Sequence, residues 1–461
     1  MKSFDFTTYL SPFTWRYGGD AMRAIWSEEH KRQLWRKIWV ALARAQEKQG
    51  LLSKKEFDDL VAHENDIDIE QSHEIEKDLQ HDLMAEIKTY ASQAKKGGGK
   101  IHLGATSMDI EDNADTIRIK ESLEIIEPKL KQLLKSFAKK IDQYKALPCM
   151  AYTHLQPAEP TTTGYRFAFY AQDIVFDKKL LDFVKKELKG KGLKAAVGTS
   201  ASYVSLLDKQ KAQDLEHDVL QTLSIDAVTI ASQTAPRKFE FFVSSFLASL
   251  AQSLYKFAFD VRLMQSPLFG EWQEPFGKKQ VGSSAMPFKK NPIKSEQICS
   301  LARLVFSLSR VPLDNAAHML LERTLDDSAN RRVVLPEMFL ATDAILDTAT
   351  KIVDELVINE KQIEKNLDKF GPFAATESLM MQAVKKGADR QVIHELLREH
   401  AMKANEAMST SDKNPLIQNL LSDKTIQKYL TKEEIKESLH YKTHIGLAVE
   451  KCNEFLRSLH K

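Results

Sequence analysis

A short polar segment, residues 280–292, carries side chains that could do chemistry between two stretches of helical sequence. Its sequence, QVGSSAMPFKKNP, holds two serines, two lysines and an asparagine. The segment is too polar for a buried core, and its composition is more specific than that of a simple linker. Gly282 favours a flexible loop, while Pro287 and Pro292 restrict the conformations of that loop. The sequence therefore predicts a mobile loop that presents serine and lysine side chains.

Five other polar islands interrupt the helical background, and each also has an interpretation without a function. His81 and His154 would be ordinary structural histidines, the latter capping a helix. The GATS sequence would be a turn and a helix N-cap, and the last island a solvated face with i, i+4 ion pairs. Taken singly, none of them decides the function. The islands are WRY (residues 15–17), QHDLMAE (80–86), HLGATSMDIEDNAD (102–115), YTHLQPAEPTT (152–162) and ERTLDDSANRR (322–332).

Taken together, the islands resemble one family. The sequence GSSAMPFKKNP resembles the signature G-S-S-x-M-P-x-K-x-N-P of the fumarase/aspartase superfamily, and the resemblance covers essentially the full chain. Within that superfamily, QHD (residues 80–82), SQTAPRK (232–238) and ERTLDDSANRR resemble the adenylosuccinate lyases. Two features differ from that pattern, namely Gln80, where an arginine is common, and the Ala235–Pro236 pair.

The resemblance implies a β-elimination that breaks a C–N bond and releases fumarate. Such a reaction needs a base that removes a proton next to a carboxylate, and an acid that protonates the leaving nitrogen. By resemblance Ser283 is the base, His154 is the acid, and His81 orients the substrate and supports His154. Serine is normally too weak an acid for this role. We expect the closed loop to exclude water and to direct backbone N–H groups and Lys289 at the serine oxygen.

The resemblance also implies the substrate contacts. Lys289 and Asn291 would hold the fumaryl carboxylate, while Thr106 and Ser107 would offer hydroxyls and a helix N-terminus to a carboxylate. Guanidinium groups suit phosphate oxygens, and an arginine cluster would bind the nucleotide phosphate. The substrate-binding residues implied in this way are Arg16, Tyr17, Asp82, Thr106, Ser107, Gln233, Asn291, Arg323, Ser328 and Arg332.

Composition restricts the cofactors and partners. The chain has 66 Lys and Arg against 64 Asp and Glu, so its net charge of +2 does not indicate binding to nucleic acid or membrane. The three cysteines form no CxxC pair, which predicts a reducing cytoplasm rather than a disulfide framework. No metal or organic cofactor is expected, and the expected partner is a small-molecule nucleotide substrate.

Long helices must position these islands. The 461 residues include only 17 glycines and 14 prolines, which favours long elements with few turns. Apolar residues recur at helical spacing, and strand signals are weak throughout. The sequence predicts an all-α fold with a central long-helix bundle. Three apolar stripes carry this prediction: Leu130, Leu133, Phe137 and Ile141; Leu247, Leu250, Leu254, Phe257 and Val261; and Met338, Ile345 and Ile352.

Three helical domains are expected. Residues 1–106 would form an N-terminal domain, residues 107–358 the long-helix domain with the loop 280–292, and residues 359–461 a C-terminal domain. In the last of these, Asp389 fits a helix N-cap, and Thr431 with Glu434 fits a capping box.

The distribution of the islands predicts an assembly. His81, His154 and Ser283 lie far apart along the chain, and the apolar stripes exceed what a lone bundle needs. The family packs the central helices of four chains together, so the resemblance implies a homotetramer in which different subunits supply these residues to one site.

The residues leave other functions open. Another lyase of the superfamily, such as an argininosuccinate lyase or a fumarase, acts on a substrate without phosphate, so the arginine cluster argues against it. A catalytically silent helical scaffold would not need Ser283, His154 and Lys289. A nucleotide-binding regulator would bind adenosine monophosphate without turnover. By resemblance, the reaction extends to succinylaminoimidazole carboxamide ribotide as a second substrate.

Overall fold

The computed structural model describes residues 5–410 and 413–459, and its regular secondary structure is mainly α-helical. The first nine helices are α1 (Asp20–Ile25), α2 (Glu28–Lys48), α3 (Lys54–Ala62), α4 (Ile69–Leu79), α5 (Asp82–Gln93), α6 (Ser107–Tyr144), α7 (Thr163–Glu187), α8 (Ala201–Leu206) and α9 (Lys209–Leu223). The following nine are α10 (Lys238–Gln265), α11 (Ile293–Leu308), α12 (Arg310–Ala317), α13 (Ser328–Glu355), α14 (Glu360–Lys385), α15 (Arg390–Ala407), α16 (Leu416–Ser422), α17 (Lys432–Ser438) and α18 (Ala448–Ser458). The predicted all-α fold is confirmed.

The predicted apolar stripes lie on the three longest helices, α6, α10 and α13, and every residue named in them is fully buried. An apolar face that repeats every three to four residues can be covered only by packing against other elements. The periodicity therefore identified both the helices and the faces that they bury.

Local capping signals also proved correct in the C-terminal region. The Asp389 side chain accepts hydrogen bonds from the backbone N–H groups of Gln391 and Val392, so α15 begins where its N-cap predicts. Thr431 and Glu434 form the reciprocal pair of bonds that defines a capping box at the start of α17. Such caps satisfy N–H groups that have no partner within the helix.

Two compact units make up the chain. Unit 1 comprises the residues up to Leu130 together with Phe176–Leu254 and Ser300–Asp347. Its core includes Leu34, Trp35, Ile38 and Trp39 of α2, all almost fully buried, and α2 packs against α3 and α9. The predicted division into three domains remains a prediction.

Unit 2 comprises Lys131–Val175, Tyr255–Cys299 and the residues from Thr348 onward. It contains an antiparallel hairpin, β1 (Pro148–Thr153) and β2 (Gln156–Thr162), which packs against α14. A second pair, β3 (Trp272–Gln273) and β4 (Val357–Ile358), is only two residues long. The sequence did not predict these strands. Within the ranges described, no helix is long and apolar enough to cross a membrane.

Candidate active site

Three of the predicted phosphate ligands line one cavity in unit 1. Arg323 lies in the loop before α13, Ser328 is the first residue of that helix, and Arg332 follows one turn later. All three line a cavity of about 170 Å³. One water needs roughly 10–15 Å³ of such space, so the cavity has room for a phosphoryl group. The N-terminus of α13 adds a partial positive charge to the two guanidinium groups.

Two adjacent arginines of α13 have different environments. The Arg331 side chain is only 9% exposed, and it donates hydrogen bonds to Glu240 Oε1 at 2.8 Å and to Asp115 Oδ2 at 3.1 Å. The Arg332 side chain is 51% exposed, and its Nη2 donates to Asp82 Oδ2 at 2.7 Å. Arg331 is therefore held in the protein interior, whereas Arg332 can reach a ligand.

A buried ion-pair network fixes the segment that precedes α13. Asp327 accepts from Arg237 Nε at 2.7 Å and from Arg323 Nη1 at 2.7 Å, and Arg237 Nη1 also donates to Asp112 at 2.9 Å. Burial acts to raise the pKa of Asp327, but Arg237 and Arg331 outweigh it and hold that pKa below its usual value. The segment is therefore not a solvated helical face, because its central carboxylate is buried and the helix begins only at Ser328.

His81 lies at the junction between α4 and α5. The preceding residue, Gln80, has a φ of 52°, and this left-handed turn ends α4. The His81 Nδ1 atom accepts a hydrogen bond from Met84 N at 3.4 Å and so caps α5. Since Nδ1 acts as an acceptor, the proton of the neutral ring lies on Nε2. The ring is partly exposed, which leaves that N–H available to a ligand.

Asp82 is the first residue of α5. Its burial acts to raise the pKa of the carboxyl, but the Arg332 guanidinium outweighs burial and lowers that pKa. Asp82 and Arg332 are two predicted substrate-binding residues that the structure brings into direct contact, at 2.7 Å.

The GATS segment leads into α6, with Thr106 immediately before it and Ser107 as its first residue. The backbone N–H of Thr106 donates to Asp109 Oδ2 at 3.1 Å, so this group is already satisfied within the protein. Asp109 also forms a buried ion pair with Lys191, 2.6 Å from Oδ1 to Nζ. Within the described residues, the hydroxyls of Thr106 and Ser107 have no hydrogen-bond partner. The hydroxyls, rather than the Thr106 amide, are what this segment offers to a ligand.

Gln233, Arg16 and Tyr17 complete the predicted set in unit 1. The Gln233 backbone N–H donates to Glu322 O at 3.2 Å, which joins its segment to the one that carries Arg323. Arg16 Nε donates to the Tyr17 hydroxyl at 3.3 Å. Arg16 and Tyr17 therefore contact each other, but neither is among the residues that line the cavity with Arg332.

The loop of residues 280–292 in unit 2, which we call the signature loop, contains the predicted base, Ser283. Two backbone amides of this loop point at the Ser283 side chain. Ser283 Oγ accepts a hydrogen bond from Met286 N at 3.1 Å and a longer one from Ala285 N at 3.4 Å. Such donors stabilise negative charge on the oxygen that accepts them. The Lys289 side chain forms no hydrogen bond or ion pair within the described residues, so the two amides alone contact this oxygen.

Within the same loop, the backbone at Gly282 lies very close to the backbone at Lys289. The Asn291 side chain donates to Gly282 O at 2.7 Å. A Cβ added at Gly282 would collide with the carbonyl oxygen of Lys289. Glycine is thus required here because the backbone passes so close, and the Asn291 amide is engaged within the loop.

The base of the loop is anchored by two side chains. Buried Glu274 accepts from Lys294 N at 3.1 Å, from Ser295 N at 3.0 Å and from the Ser295 hydroxyl at 2.9 Å, and so caps the start of α11. Gln265 donates to Lys290 O at 2.9 Å and accepts from Glu274 N at 2.8 Å. Both ends of the loop are therefore fixed, whereas Val281 and Phe288 within it are mostly exposed.

His154 lies in the turn of the β1–β2 hairpin and does not cap a helix. Thr153 pairs with Gln156, so His154 and Leu155 form a two-residue turn, and their φ values are 53° and 59°. Positive φ at both positions is the geometry of a type I′ turn. L-residues other than glycine, asparagine and aspartate rarely adopt it, and leucine does so at a cost. No hydrogen bond or ion pair joins His154 to Ser283 within the described residues.

Packing holds this hairpin in place. The ring of Tyr152 packs edge-on against Phe269, with centroids 4.8 Å apart. Arg166, which is mostly buried, donates to Met150 O at 2.5 Å. The strained turn is therefore supported by an ordered framework, which is the condition under which such strain persists.

Glu111 is a residue of the cavity that the sequence interpretation missed. It lines the cavity together with Arg323, Ser328 and Arg332. Burial raises the pKa of its carboxyl, and nearby Asp82 raises it further, to about 8. Glu111 lies among other acidic residues in MDIEDNAD, so no local signal distinguishes it. Within residues 5–410 and 413–459, no cluster of three or more His, Cys, Asp or Glu side chains could hold a metal ion.

Comparisons with known families and sequences point to one family. A family model described as "Lyase" matches residues 16–307, and one described as "Adenylosuccinate lyase C-terminus" matches residues 372–455. The adenylosuccinate lyase of Methanocaldococcus jannaschii is 38% identical over 98% of this chain and 96% of its own. That of Schistosoma mansoni is 38% identical over 91% and 88%, and that of Saccharomyces cerevisiae 35% over 98% and 95%.

Solved structures support the fold at lower sequence identity. A fumarate lyase from Mesorhizobium sp. BNC1 has a TM-score of 0.85 at 22% identity, covering 98% of this chain and 99% of its own. The 3-carboxy-cis,cis-muconate lactonizing enzyme of Pseudomonas putida has a TM-score of 0.87 at 22% identity, covering 97% and 99%. At this identity the likeness concerns the fold alone.

Proposed function

The chain belongs to the adenylosuccinate lyase family, and we propose that the cavity of unit 1 binds the nucleotide phosphate while Ser283 and His154 act as base and acid. The protein is a C–N lyase of purine biosynthesis, and its reaction releases fumarate from adenylosuccinate to leave AMP. The single observation that carries the nucleotide assignment is that Arg323, Ser328 and Arg332 line one cavity. Two guanidinium groups and a hydroxyl at a helix N-terminus suit a phosphate dianion.

The proposed chemistry begins with proton removal. Ser283 takes the proton from the succinyl carbon next to a carboxylate, and the electron pair left there expels the nitrogen bound to the adjacent carbon. Two hydrogen bonds to Ser283 Oγ, from Ala285 N and Met286 N, support this role because they stabilise the ionised serine. We assign Lys289, whose ammonium group is unpaired in the described residues, to the fumaryl carboxylate, which gains charge as the proton leaves.

The proposed acid is His154, which protonates the departing N6 as the C–N bond breaks. An imidazole suits this role because its usual pKa lies near neutrality. The tight hairpin turn supports the assignment, since it presents the ring at an exposed tip. His81 is proposed to orient the substrate through its Nε2–H, with Thr106, Ser107, Gln233 and Asn291 as further substrate contacts.

A direct assay tests this function. Purified protein is mixed with adenylosuccinate, and the ultraviolet change that accompanies loss of the succinyl group is followed. We expect turnover with adenylosuccinate and none with argininosuccinate, which carries no phosphate. Turnover of argininosuccinate, or none of adenylosuccinate, would contradict the assignment. Succinylaminoimidazole carboxamide ribotide carries the same phosphate, so we propose it as a second substrate, which the same assay checks.

We propose a homotetramer that shares its active sites. The observation that supports it is an apolar stripe on α7, formed by Tyr165, Phe169, Phe176 and Phe183, which are 43% to 57% exposed. Their spacing of four and seven residues places them on one helix face, and exposed apolar rows of this kind mark protein interfaces. Packing α7 against other copies would cover these rings.

Complementation tests the shared sites. His154→Ala and Ser283→Ala chains, each of which we expect to be inactive alone, are mildly unfolded together and reassembled. If different subunits supply these two residues to one site, some mixed tetramers regain a fraction of wild-type activity. Mixed oligomers that co-purify through a tag but stay inactive would show that one chain supplies both residues.

We also propose a cytoplasmic location, which two buried thiols support. Cys149 and Cys452 are buried and are not joined in a disulfide bond, as expected of thiols in a reducing compartment. Fractionation of cells that express the tagged protein checks this, and recovery from an oxidising compartment would contradict it.

A further inference from the structure

Glu111 occupies a position from which it can contact a phosphoryl group. It lies on α6 and lines the cavity that also contains Arg323, Ser328 and Arg332. In the proposed function these three residues hold the nucleotide phosphate, and any role of Glu111 toward that phosphate rests on the proposed function. A carboxyl group so close to an anion site needs an explanation, because a carboxylate there would repel the dianion.

The other carboxylates of this cavity are paired, and Glu111 is not. Glu28 forms ion pairs with Lys31 at 2.8 Å and with Arg32 at 3.0 Å. Asp115 accepts from Arg118 at 3.1 Å and from Arg331 at 3.1 Å. Glu111 forms no hydrogen bond or ion pair with any part of the chain that the structure describes. Its side chain is therefore available to a ligand.

The charges that face Glu111 come from each element packed around it. Asp82 of α5 and Asp112 and Asp115 of α6 disfavour its ionisation, whereas Arg332 of α13 favours it. The other charged side chains that line the cavity are each paired within the protein: Glu28 and Lys31 of α2, Arg118 of α6, Arg331 of α13, and Arg323. Arg332 is itself bonded to Asp82, so much of its charge is already compensated. Burial together with these carboxylates raises the pKa of Glu111 to about 8. At neutral pH the carboxyl is thus mainly a neutral hydrogen-bond donor.

The indole N–H of Trp26 is a second group that indicates a ligand in this cavity, and that ligand would carry hydrogen-bond acceptor oxygens. The Nε1–H of Trp26, another residue lining the cavity, is buried and has no hydrogen-bond partner among the described residues. The ring is held by two contacts, since the Arg118 guanidinium lies 4.3 Å from its centre and the ring of Phe339 stacks on it with centroids 5.5 Å apart. A buried donor without a partner is costly, and a phosphoryl oxygen would satisfy it.

We propose that Glu111 is a specificity-determining residue for the phosphoryl group of the nucleotide. As the neutral acid it donates its O–H to a phosphoryl oxygen, and as the carboxylate it repels the phosphate. Binding of the nucleotide therefore takes up a proton whenever Glu111 is ionised in the free protein. That proton comes from the solvent and forms the O–H bond of the carboxyl group; apart from it, only hydrogen bonds form in this step.

The expected pH dependence is set by the protonation state that binds. If only the neutral form binds well and half of the free protein is ionised near pH 8, the Kd rises about tenfold between pH 7 and pH 9. The second pKa of a phosphate monoester is about 6, so the ligand remains a dianion over this range.

The test is calorimetric titration of the full-length protein with AMP at pH 7, 8 and 9. Each titration is run in two buffers that differ in ionisation enthalpy. The difference between the binding heats measured in the two buffers gives the number of protons that the complex takes up. Glu111→Gln is compared with wild type, since glutamine remains neutral at every pH. Glu28→Gln is the matched control, because it makes the same chemical change in the same cavity at a carboxylate that is already paired. Adenosine serves as the ligand without a phosphoryl group.

For wild type and Glu28→Gln we expect uptake of close to one proton at pH 9 and a Kd for AMP about tenfold weaker than at pH 7. For Glu111→Gln we expect no uptake and a Kd that changes by less than about twofold, and for adenosine no pH dependence in any variant. Two results would overturn the inference about Glu111 but leave the proposed phosphate cavity standing. One is that wild type binds AMP without proton uptake, and the other is that the Kd of Glu111→Gln changes with pH as much as that of wild type. If AMP does not bind to wild type, the proposed phosphate cavity fails and the inference fails with it.

Discussion

The cavity of unit 1 and the signature loop of unit 2 hold their functional side chains in different ways. In the cavity, Arg323 is fixed by Asp327, which is itself held by Arg237, and the distances are 2.7 Å. In the loop, Ser283 has only two hydrogen bonds, at 3.1 and 3.4 Å, and both come from the loop itself. The proposed binding residues therefore rest on a buried framework, whereas the proposed base rests on a short exposed segment.

This difference has a chemical reason. A phosphate keeps its charge throughout the reaction, so arginines in fixed positions serve it from binding to release. A base must meet a carbon whose charge develops only in the transition state, and a loop can close over that carbon and later release the product. The loop is nevertheless anchored at both ends by Gln265 and Glu274, which confines any movement to the residues between them.

The largest expected effect contrasts two adjacent serines of the loop. Ser283→Ala should lower kcat by about 10²–10⁴, the usual contribution of a general base. Ser284→Ala makes the same change at an exposed neighbour and should retain turnover. Steady-state kinetics on both variants checks this. A Ser283→Ala enzyme with near-normal kcat would remove serine from the role of base.

The next largest effect concerns the buried ion pairs of Asp327 with Arg237 and Arg323, which hold the segment before α13. Asp327→Asn leaves Arg237 and Arg323 without their shared carboxylate and should lower the free energy of unfolding by about 3 kcal/mol. Asp326→Asn, at an exposed neighbour, should change it by less than about 0.5 kcal/mol. Denaturant unfolding of both variants measures the difference. Equal stability of the two would mean that the buried network does not hold the segment.

The same network predicts a dependence on pH. The folded-state pKa of Asp327 is depressed, so its stabilisation is fully present above the unfolded value of about 4 and is lost as the pH falls through the folded value. Denaturant unfolding between pH 7 and pH 3 checks this, and wild type should lose more stability than Asp327→Asn below pH 4.

The smallest effect separates the two adjacent arginines of α13. Arg332→Ala removes one charge-assisted contact and should weaken AMP binding about tenfold to hundredfold, with little change in thermal stability. Arg331→Ala removes the cation nearest to buried Glu240 and one of the two cations that contact Asp115, and it should lower the thermal stability instead. Calorimetric titration and thermal unfolding of both variants distinguish the two roles. If both lose affinity equally, the division between them is wrong.

Sequence alone predicted the features that depend on local spacing. The stripe on α10, the N-cap at Asp389 and the capping box of Thr431 and Glu434 each involve residues a few positions apart, and the structure confirms all three. The hairpin escaped prediction for the same reason. Its turn is His154–Leu155 rather than Asn–Gly or Asp–Gly, and prolines interrupt β2, so neither the turn nor the strands have their usual signals.

Other features could not be predicted because they depend on long-range contacts. Arg237 meets partners that are 90 and 125 residues away in the chain. The unusual pKa of Glu111 arises from burial and from Asp82, which belongs to another helix. Arg331 and Arg332 are adjacent residues of the same type, so the sequence does not show which one is buried. Only their packing in the structure distinguishes them.

Nucleotide binding and proton removal are assigned to separate groups of residues, and titration of AMP into Ser283→Ala probes that separation in a single step. We expect a Kd within about threefold of wild type for a protein whose turnover is lost. A Kd raised tenfold or more in this variant, with its fold intact by circular dichroism, would refute the separation, because the loop serine would then be part of the nucleotide-binding site.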